Sequence, residues 1–280
     1  MFKTDFETYL NEDQVAGSGK VNSYLKALHW LQQMLEIESY GFSDCINIWS
    51  VQSVARLSDL RTLVLVEQKN SSSPWHTGGI PVSYLRDGYC AAALSELIRY
   101  VPQQVFVDKL SKIYDSHVDD EAGLAAKLDI DPELPDDYVY DPKSKDGQDL
   151  IREAKARIGQ AAFRKMILRN YQNTCCITGL NISILNRASH IIGWAENKAT
   201  RMLPSNGLCL SATYDAAFDK KLISLDEKYR VIISKEIQDH YSNQHVKAYF
   251  ECREGQIITY PIRSKPSQEF LETHRKAGNF

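Results

Sequence analysis

A histidine, an asparagine and two aspartates stand in an order that suits phosphodiester chemistry. The histidine lies in Arg187-Ala188-Ser189-His190-Ile191-Ile192, the asparagine opens Asn206-Gly207-Leu208-Cys209-Leu210, and the acids close Tyr214-Asp215-Ala216-Ala217-Phe218-Asp219. The first two segments read as short strands and the third as a helix. Side chains four positions apart share a helix face, about 6 Å apart along the axis, so Asp215 and Asp219 can reach one ion. Like charges at that spacing repel until a cation joins them, and donors that are all oxygen favour Mg²⁺ or Mn²⁺ over Zn²⁺. An imidazole beside a divalent cation supplies a general base and charge neutralisation at one point, as phosphodiester hydrolysis requires. The pattern predicts a metal-dependent nuclease.

Each part has a plainer reading when taken alone. A histidine in an apolar strand is commonly structural, and Asn206-Gly207 by itself is a turn. Asp215 and Asp219 by themselves are a solvated helix face with Lys220 and Lys221 as salt partners. Only in combination do these residues point to a nuclease. Ala216 and Ala217 favour the helix, Thr213 is the expected N-cap, Phe218 anchors the helix inward, and Tyr214 is a packing residue.

Three further segments extend the pattern: Arg157-Ile158-Gly159-Gln160-Ala161-Ala162-Phe163-Arg164, Tyr171 through Cys176-Ile177-Thr178-Gly179, and Leu222-Ile223. Over roughly residues 157 to 232 the chain resembles the HNH (ββα-metal) endonucleases, and with its helical N-terminal part it is similar to restriction-type HNH proteins. The resemblance implies that His190 is the general base and that Asn206 steadies the loop carrying it. It places Asp215 where the family has its final His, nine residues after the Asn, and Asp219 as a further ligand one turn on. Two positions depart from the pattern. Ser189 stands where many members carry an Asp or His ligand, and Asp215, with Tyr214 beside it, replaces the last His.

The mechanism so implied has neutral His190 taking a proton from water while an ion held by Asp215 and Asp219 offsets charge on the phosphate and the leaving oxygen. A nearby Arg or Lys steadies another phosphate oxygen, and the products carry a 5′-phosphate and a 3′-hydroxyl. With an ordinary imidazole pKa, activity is expected to decline below about pH 6. Some relatives bind a structural zinc through two Cys-x-x-Cys pairs. Here Cys175 and Cys176 are adjacent and no second pair follows, so no structural zinc is expected. A hydrolase pairing Cys175 or Cys176 with His190 is a competing reading, opposed by the buried character of that strand-and-turn segment.

The formal net charge of −3 argues at first against a polyanionic partner. Its distribution reverses that inference. Residues 151–221 hold eleven basic side chains against four acidic ones, and two of those four are the proposed ligands. Arg164, Arg187, Lys198, Arg201 and Lys220 are the expected contacts to a DNA backbone. The negative balance comes mostly from Asp115 to Asp146, where acids are interleaved with Pro132, Pro135 and Pro142. That composition marks a solvated connector, interrupted by a short helix near Glu121 to Leu128.

These features predict an α+β chain with a helical domain over 1–114, an acidic linker over 115–146 and a nuclease domain over 147–280. Val21, Tyr24, Leu28, Leu31 and Leu35 recur at helical spacing, as do Val51, Val54, Leu57, Leu60, Leu63 and Val64. Pro81 is expected to open a third helix, Val82 to Tyr100. Trp75 and His76, in a polar loop, either pack on the domain or meet a partner. Strands are expected at 222–225, 230–233 and 257–260, with Asp226-Glu227-Lys228 as a hairpin turn. A terminal helix follows from Ser267 to Lys276, and His240, His245 and His274 read as surface or capping residues.

No secretory signal or membrane-length apolar run is apparent, and the six cysteines lack the density of a disulfide framework, so reduced thiols and a cytoplasmic location are expected. The N-terminal segment carries ten basic and twelve acidic residues over 1–114, which leans toward protein contacts over a DNA groove. Two functional readings stand: a DNA endonuclease of restriction or phage-defence type, and a non-cleaving nucleic-acid-binding or regulatory protein on the same scaffold. Double-strand cutting by one site per chain would favour a homodimer.

Overall fold

A computed structural model describes residues 2–12, 19–77, 79–117, 120–134, 138 and 145–280. It divides into two compact units, Met1–Val105 with Pro132–Lys155, and Phe106–Asp131 with Ala156–Phe280. The architecture is α+β. Helices dominate the N-terminal part, and two small antiparallel sheets stand in the C-terminal part. Among the described residues no helix is long and apolar enough to cross a membrane.

The first unit begins with α1 (Phe2–Glu12), α2 (Lys20–Ile37) and α3 (Val54–Glu67). α2 buries Leu28, Leu31 and Leu35, the stripe its spacing foretold, and α3 buries Leu57, Leu60 and Val64. Ser53 caps α3, its Oγ accepting from the Arg56 N–H at 3.2 Å. The expected third helix is two. α4 (Ser83–Arg86) stops at Gly88, whose φ of 81° breaks the spiral, and α5 (Tyr89–Ser116) runs on well past Tyr100. Pro102 lies inside α5 and donates no hydrogen bond to the preceding turn. Buried Leu97, Tyr100 and Val101 before it, and Phe106, Val107 and Leu110 after it, hold the helix together. Trp75 is fully buried and its indole N–H donates to the Glu38 carbonyl at 2.8 Å, so it packs and is not presented to a partner.

The short helix expected within the acidic segment is present. α6 (Glu121–Leu128) is capped by Asp120, whose carboxylate accepts from the Gly123 N–H, and it buries Leu124 and Leu128. The remaining acids of that expectation at 119, 136, 137 and 141 lie outside the described residues. α7 (Lys145–Asn170) follows, and its C-terminal half buries Ile158, Ala162, Phe163 and Ile167.

The site-bearing elements come next: β1 (Asn186–His190), β2 (Gly207–Ser211) and α8 (Ala212–Asp219). β1 and β2 are antiparallel in a register that sets Asn186 opposite Ser211 and His190 opposite Gly207. β2 is buried from Gly207 to Leu210 and runs straight into α8, so the residue flanking the helix is Ser211 and not the expected Thr213. β3 (Ile223–Leu225) and β4 (Val231–Ile233) form the expected hairpin, closed by the Asp226 carboxylate accepting from the Lys228 and Arg230 N–H groups at 2.8 Å each. The third expected strand is reduced to one bridge, Arg230 to Ile257, and the N–H groups of Ile258 and Thr259 donate to the carbonyls of Tyr229 and Cys176. α9 (Lys235–Gln238) and α10 (Gln244–Tyr249) are short, and α11 (Gln268–Lys276) is capped by Ser267, expected as its first residue. His274 of α11 corrects the expectation of a surface residue. It is 2% exposed, stacks on Phe218 with centroids 3.8 Å apart, bonds the Ser224 hydroxyl at 2.9 Å and donates through Nε2 to the Phe218 carbonyl at 3.0 Å.

Candidate active site

Gly207 explains how His190 is seated. A Cβ at Gly207 would lie 2.4 Å from Cδ1 of Ile167 and 2.7 Å from Cζ of Phe163, so only glycine lets α7 close onto β2. Phe163 then covers the facing residue of β1, stacking on His190 with centroids 3.7 Å apart and planes 15° apart. Trp194 meets the same imidazole edge-on at 5.5 Å. Trp194 needs room of its own, because a Cβ at Gly159 would stand 2.6 Å from its ring. The Arg201 guanidinium lies over the Trp194 ring, 4.9 Å from the centroid.

His190 Nε2 is 2.9 Å from the Arg201 carbonyl oxygen. A carbonyl only accepts, so Nε2 carries the proton and Nδ1 of the neutral ring is a free base. Burial beneath Phe163 pushes the imidazole down to about 4. The sequence shows the imidazole and not the ring stacked on it, so the expectation of an ordinary imidazole pKa does not include this burial.

Asn206 is fully buried and ties the loop that follows β1. Its Oδ1 accepts from the Ile192 N–H at 2.8 Å, and its Nδ2 donates to the carbonyls of Ile192 and Thr200, each at 3.1 Å. That loop carries Arg201 and so the carbonyl that orients His190.

α8 supplies the acids. Phe218, Ala217 and Tyr214 are buried, with the Tyr214 hydroxyl donating to the Tyr249 carbonyl, which leaves Asp215 and Asp219 on the other face. Ser189 is buried beside them and its hydroxyl donates to Asp215. Neither aspartate forms an ion pair among the described residues, although the charge of Lys221 acts on Asp219. Loss of solvent, and then the charge of Asp215, pushes the Asp219 carboxyl up from the usual aspartate value. His190, Ser189, Asp215 and Asp219 all line one cleft of about 490 Å³, together with Phe163, Trp194 and Lys221.

The segment from the buried Cys175 through the β3 turn matches a known family model, that of the HNH endonucleases, over residues 175–226. The chain carries an HNH endonuclease domain. A search of curated proteins gives no match. HNH nucleases act on DNA and generally use a divalent metal.

In this HNH domain the expected residues divide. The cleft brings His190, Asp215 and Asp219 together with Arg164 and Arg187. Asn206 lies behind it as a scaffold. Lys198 pairs with Asp131 at 2.8 Å, Arg201 turns onto Trp194, and Lys220 is exposed; none of these three lines the cleft. Neither do Cys175 and Cys176, which are buried elsewhere. From the sequence Phe163 and Trp194 had no role in the site, and Lys221 only that of a salt partner. Only the aromatic four residues after His190 offered a local signal.

Among the described residues no three His, Cys, Asp or Glu side chains stand close enough to hold a metal by themselves. Two unpaired carboxylates on one helix face still suit a hard divalent ion, which keeps several waters and takes the rest of its shell from one or two carboxylates and substrate phosphates. The donor chemistry fits the family's metal.

Proposed function

We propose that the protein is a metal-dependent DNA endonuclease in which His190 is the general base and Asp215 and Asp219 hold one divalent cation, Mg²⁺ or Mn²⁺. The observation that carries this reading is the shared cleft: an imidazole with a free Nδ1 beside a carboxylate pair that forms no ion pair among the described residues. The Arg201 carbonyl fixes the tautomer, Phe163 and Trp194 fix the ring plane, and Nδ1 takes the proton of an attacking water. Ser189 orients Asp215. The cation supplies charge neutralisation at the scissile phosphate when bound. A role in restriction or phage defence is proposed from the helical N-terminal part joined to such a domain.

The alternative, a non-cleaving scaffold, draws support from the absence of a three-ligand cluster among the described residues. Calorimetric titration with Mn²⁺ separates the two. The wild type is expected to bind one ion, Asp215→Asn to lose at least tenfold in affinity, and plasmid cleavage to stop in both when the ion is chelated. Equal Mn²⁺ binding by the variant would remove the carboxylate assignment.

The pH profile gives a second expected outcome. A base must be neutral to act, and burial lowers the folded-state pKa of His190 to about 4. Single-turnover cleavage is therefore expected to stay level from pH 7 to pH 5 and to fall as pH drops through about 4. An acid limb centred near 6.5, the ordinary imidazole value, would show that His190 is not the group observed.

A further inference from the structure

We propose that Lys221 is the phosphate-contacting cation of the cleft, an inference that rests on the nuclease reading above. α8 ends in a turn in which the Lys221 N–H donates to the Phe218 carbonyl at 2.9 Å and the Leu222 N–H reaches back to the Ala217 carbonyl at 2.8 Å. The residue at this place in a helix terminus must adopt the left-handed backbone, and φ at Lys221 is 59°. Glycine takes that conformation freely, whereas a lysine takes it at a cost in stability. A cation near a helix C-terminus gains something from the helix dipole, yet Lys220 one residue earlier already supplies that charge. Strain kept where a glycine would serve points to a use for the side chain.

The surroundings say what that use is. Lys221 lines the cleft with His190, Asp215 and Asp219. The cleft arginines are held against backbone: Arg164 donates to the carbonyls of Asn186 at 2.7 Å and Ser183 at 3.1 Å, and Arg187 to those of Ile184 at 3.0 Å and Asn186 at 3.3 Å. Lys221 forms no ion pair and no side-chain hydrogen bond among the described residues. A flexible ammonium with three uncommitted donors, two residues from a proposed cation ligand, suits a non-bridging phosphate oxygen flanking the scissile bond.

The test uses the full chain carrying His190→Ala, so that a fluorescent 20-base-pair duplex is bound and not cut, titrated between about 50 and 200 mM salt. Adding Lys221→Gly is expected to raise the dissociation constant roughly five- to tenfold and to lower the salt slope by about 0.9, the loss of one phosphate contact. Lys221→Gly is also expected to melt no lower than its parent, because it relieves the left-handed backbone. Lys221→Asn, a residue tolerant of that conformation, is expected to bind like Lys221→Gly, and Lys221→Arg to recover most of the affinity. Lys228→Ala, which removes the same charge from the hairpin turn, is expected to leave affinity and slope unchanged. Wild-type affinity and slope in the Gly and Asn variants would overturn the assignment, as would an equal loss from Lys228→Ala. If the protein with native His190 cuts duplex while Lys221 variants match it, the lysine assignment alone fails; if it neither binds nor cuts duplex, the nuclease reading fails with it.

Discussion

His190→Ala is expected to lower the single-turnover rate of duplex cleavage by about 10²- to 10⁴-fold, the range for removing a positioned general base. Duplex affinity should change by less than about twofold, because the imidazole sits beneath Phe163 and is not a phosphate contact. The cavity left under Phe163 is lined by Trp194 and the backbone of β1, and its cost falls on stability. A rate within threefold of wild type would remove His190 from the chemistry, whatever the fate of the metal ligands. Rescue by added imidazole would strengthen the assignment, since the small molecule could fill the same space.

The second large effect is expected from Asn206→Asp. The side chain keeps its shape, so packing against β1 and β2 is preserved, but the two Nδ2 donors become a carboxylate oxygen facing the carbonyls of Ile192 and Thr200. Repulsion and two unsatisfied buried carbonyls cost about 3 kcal/mol or more. The loop then loses its tie to β2, and with it the Arg201 carbonyl that holds the imidazole. A misplacement on the order of 1 Å costs about 10²-fold in rate, so a fall of that size is expected alongside a lower melting temperature. Loss of stability with an unchanged rate at low temperature would mean that the loop is a structural support with no hold on the base.

Much of this was legible before any coordinate. The stripe of Leu28, Leu31 and Leu35, the Asp226 turn and the terminal helix are local patterns, and local backbone chemistry decides them. The spacing of His190, Asn206, Asp215 and Asp219 was legible for a similar reason, since a two-stranded register and one helical turn leave little freedom in where those side chains go. The misses share the opposite character. Phe163 reaches His190 from α7, His274 reaches Phe218 from α11, and Gly207 matters because of Ile167 and Phe163. Each contact joins residues dozens of positions apart, which no periodicity records. The pKa of His190 follows from the same ring, and so lay beyond the sequence as well. Thr213 was misplaced as a cap because β2 passes into α8 without a loop. The break at Gly88 was masked by an apolar pattern that continues across it.

An imidazole with a free Nδ1 and two aspartates are proposed to act at one point on a phosphodiester. The most direct measurement is incubation of supercoiled plasmid with purified wild type, His190→Ala and Asp215→Ala, each in Mg²⁺, in Mn²⁺ and in excess chelator. Nicked or linear DNA with 5′-phosphate ends is expected from the wild type in metal, and intact plasmid from both variants and from every chelated sample. Cleavage by the wild type that persists in chelator, or that His190→Ala matches, would contradict the proposal.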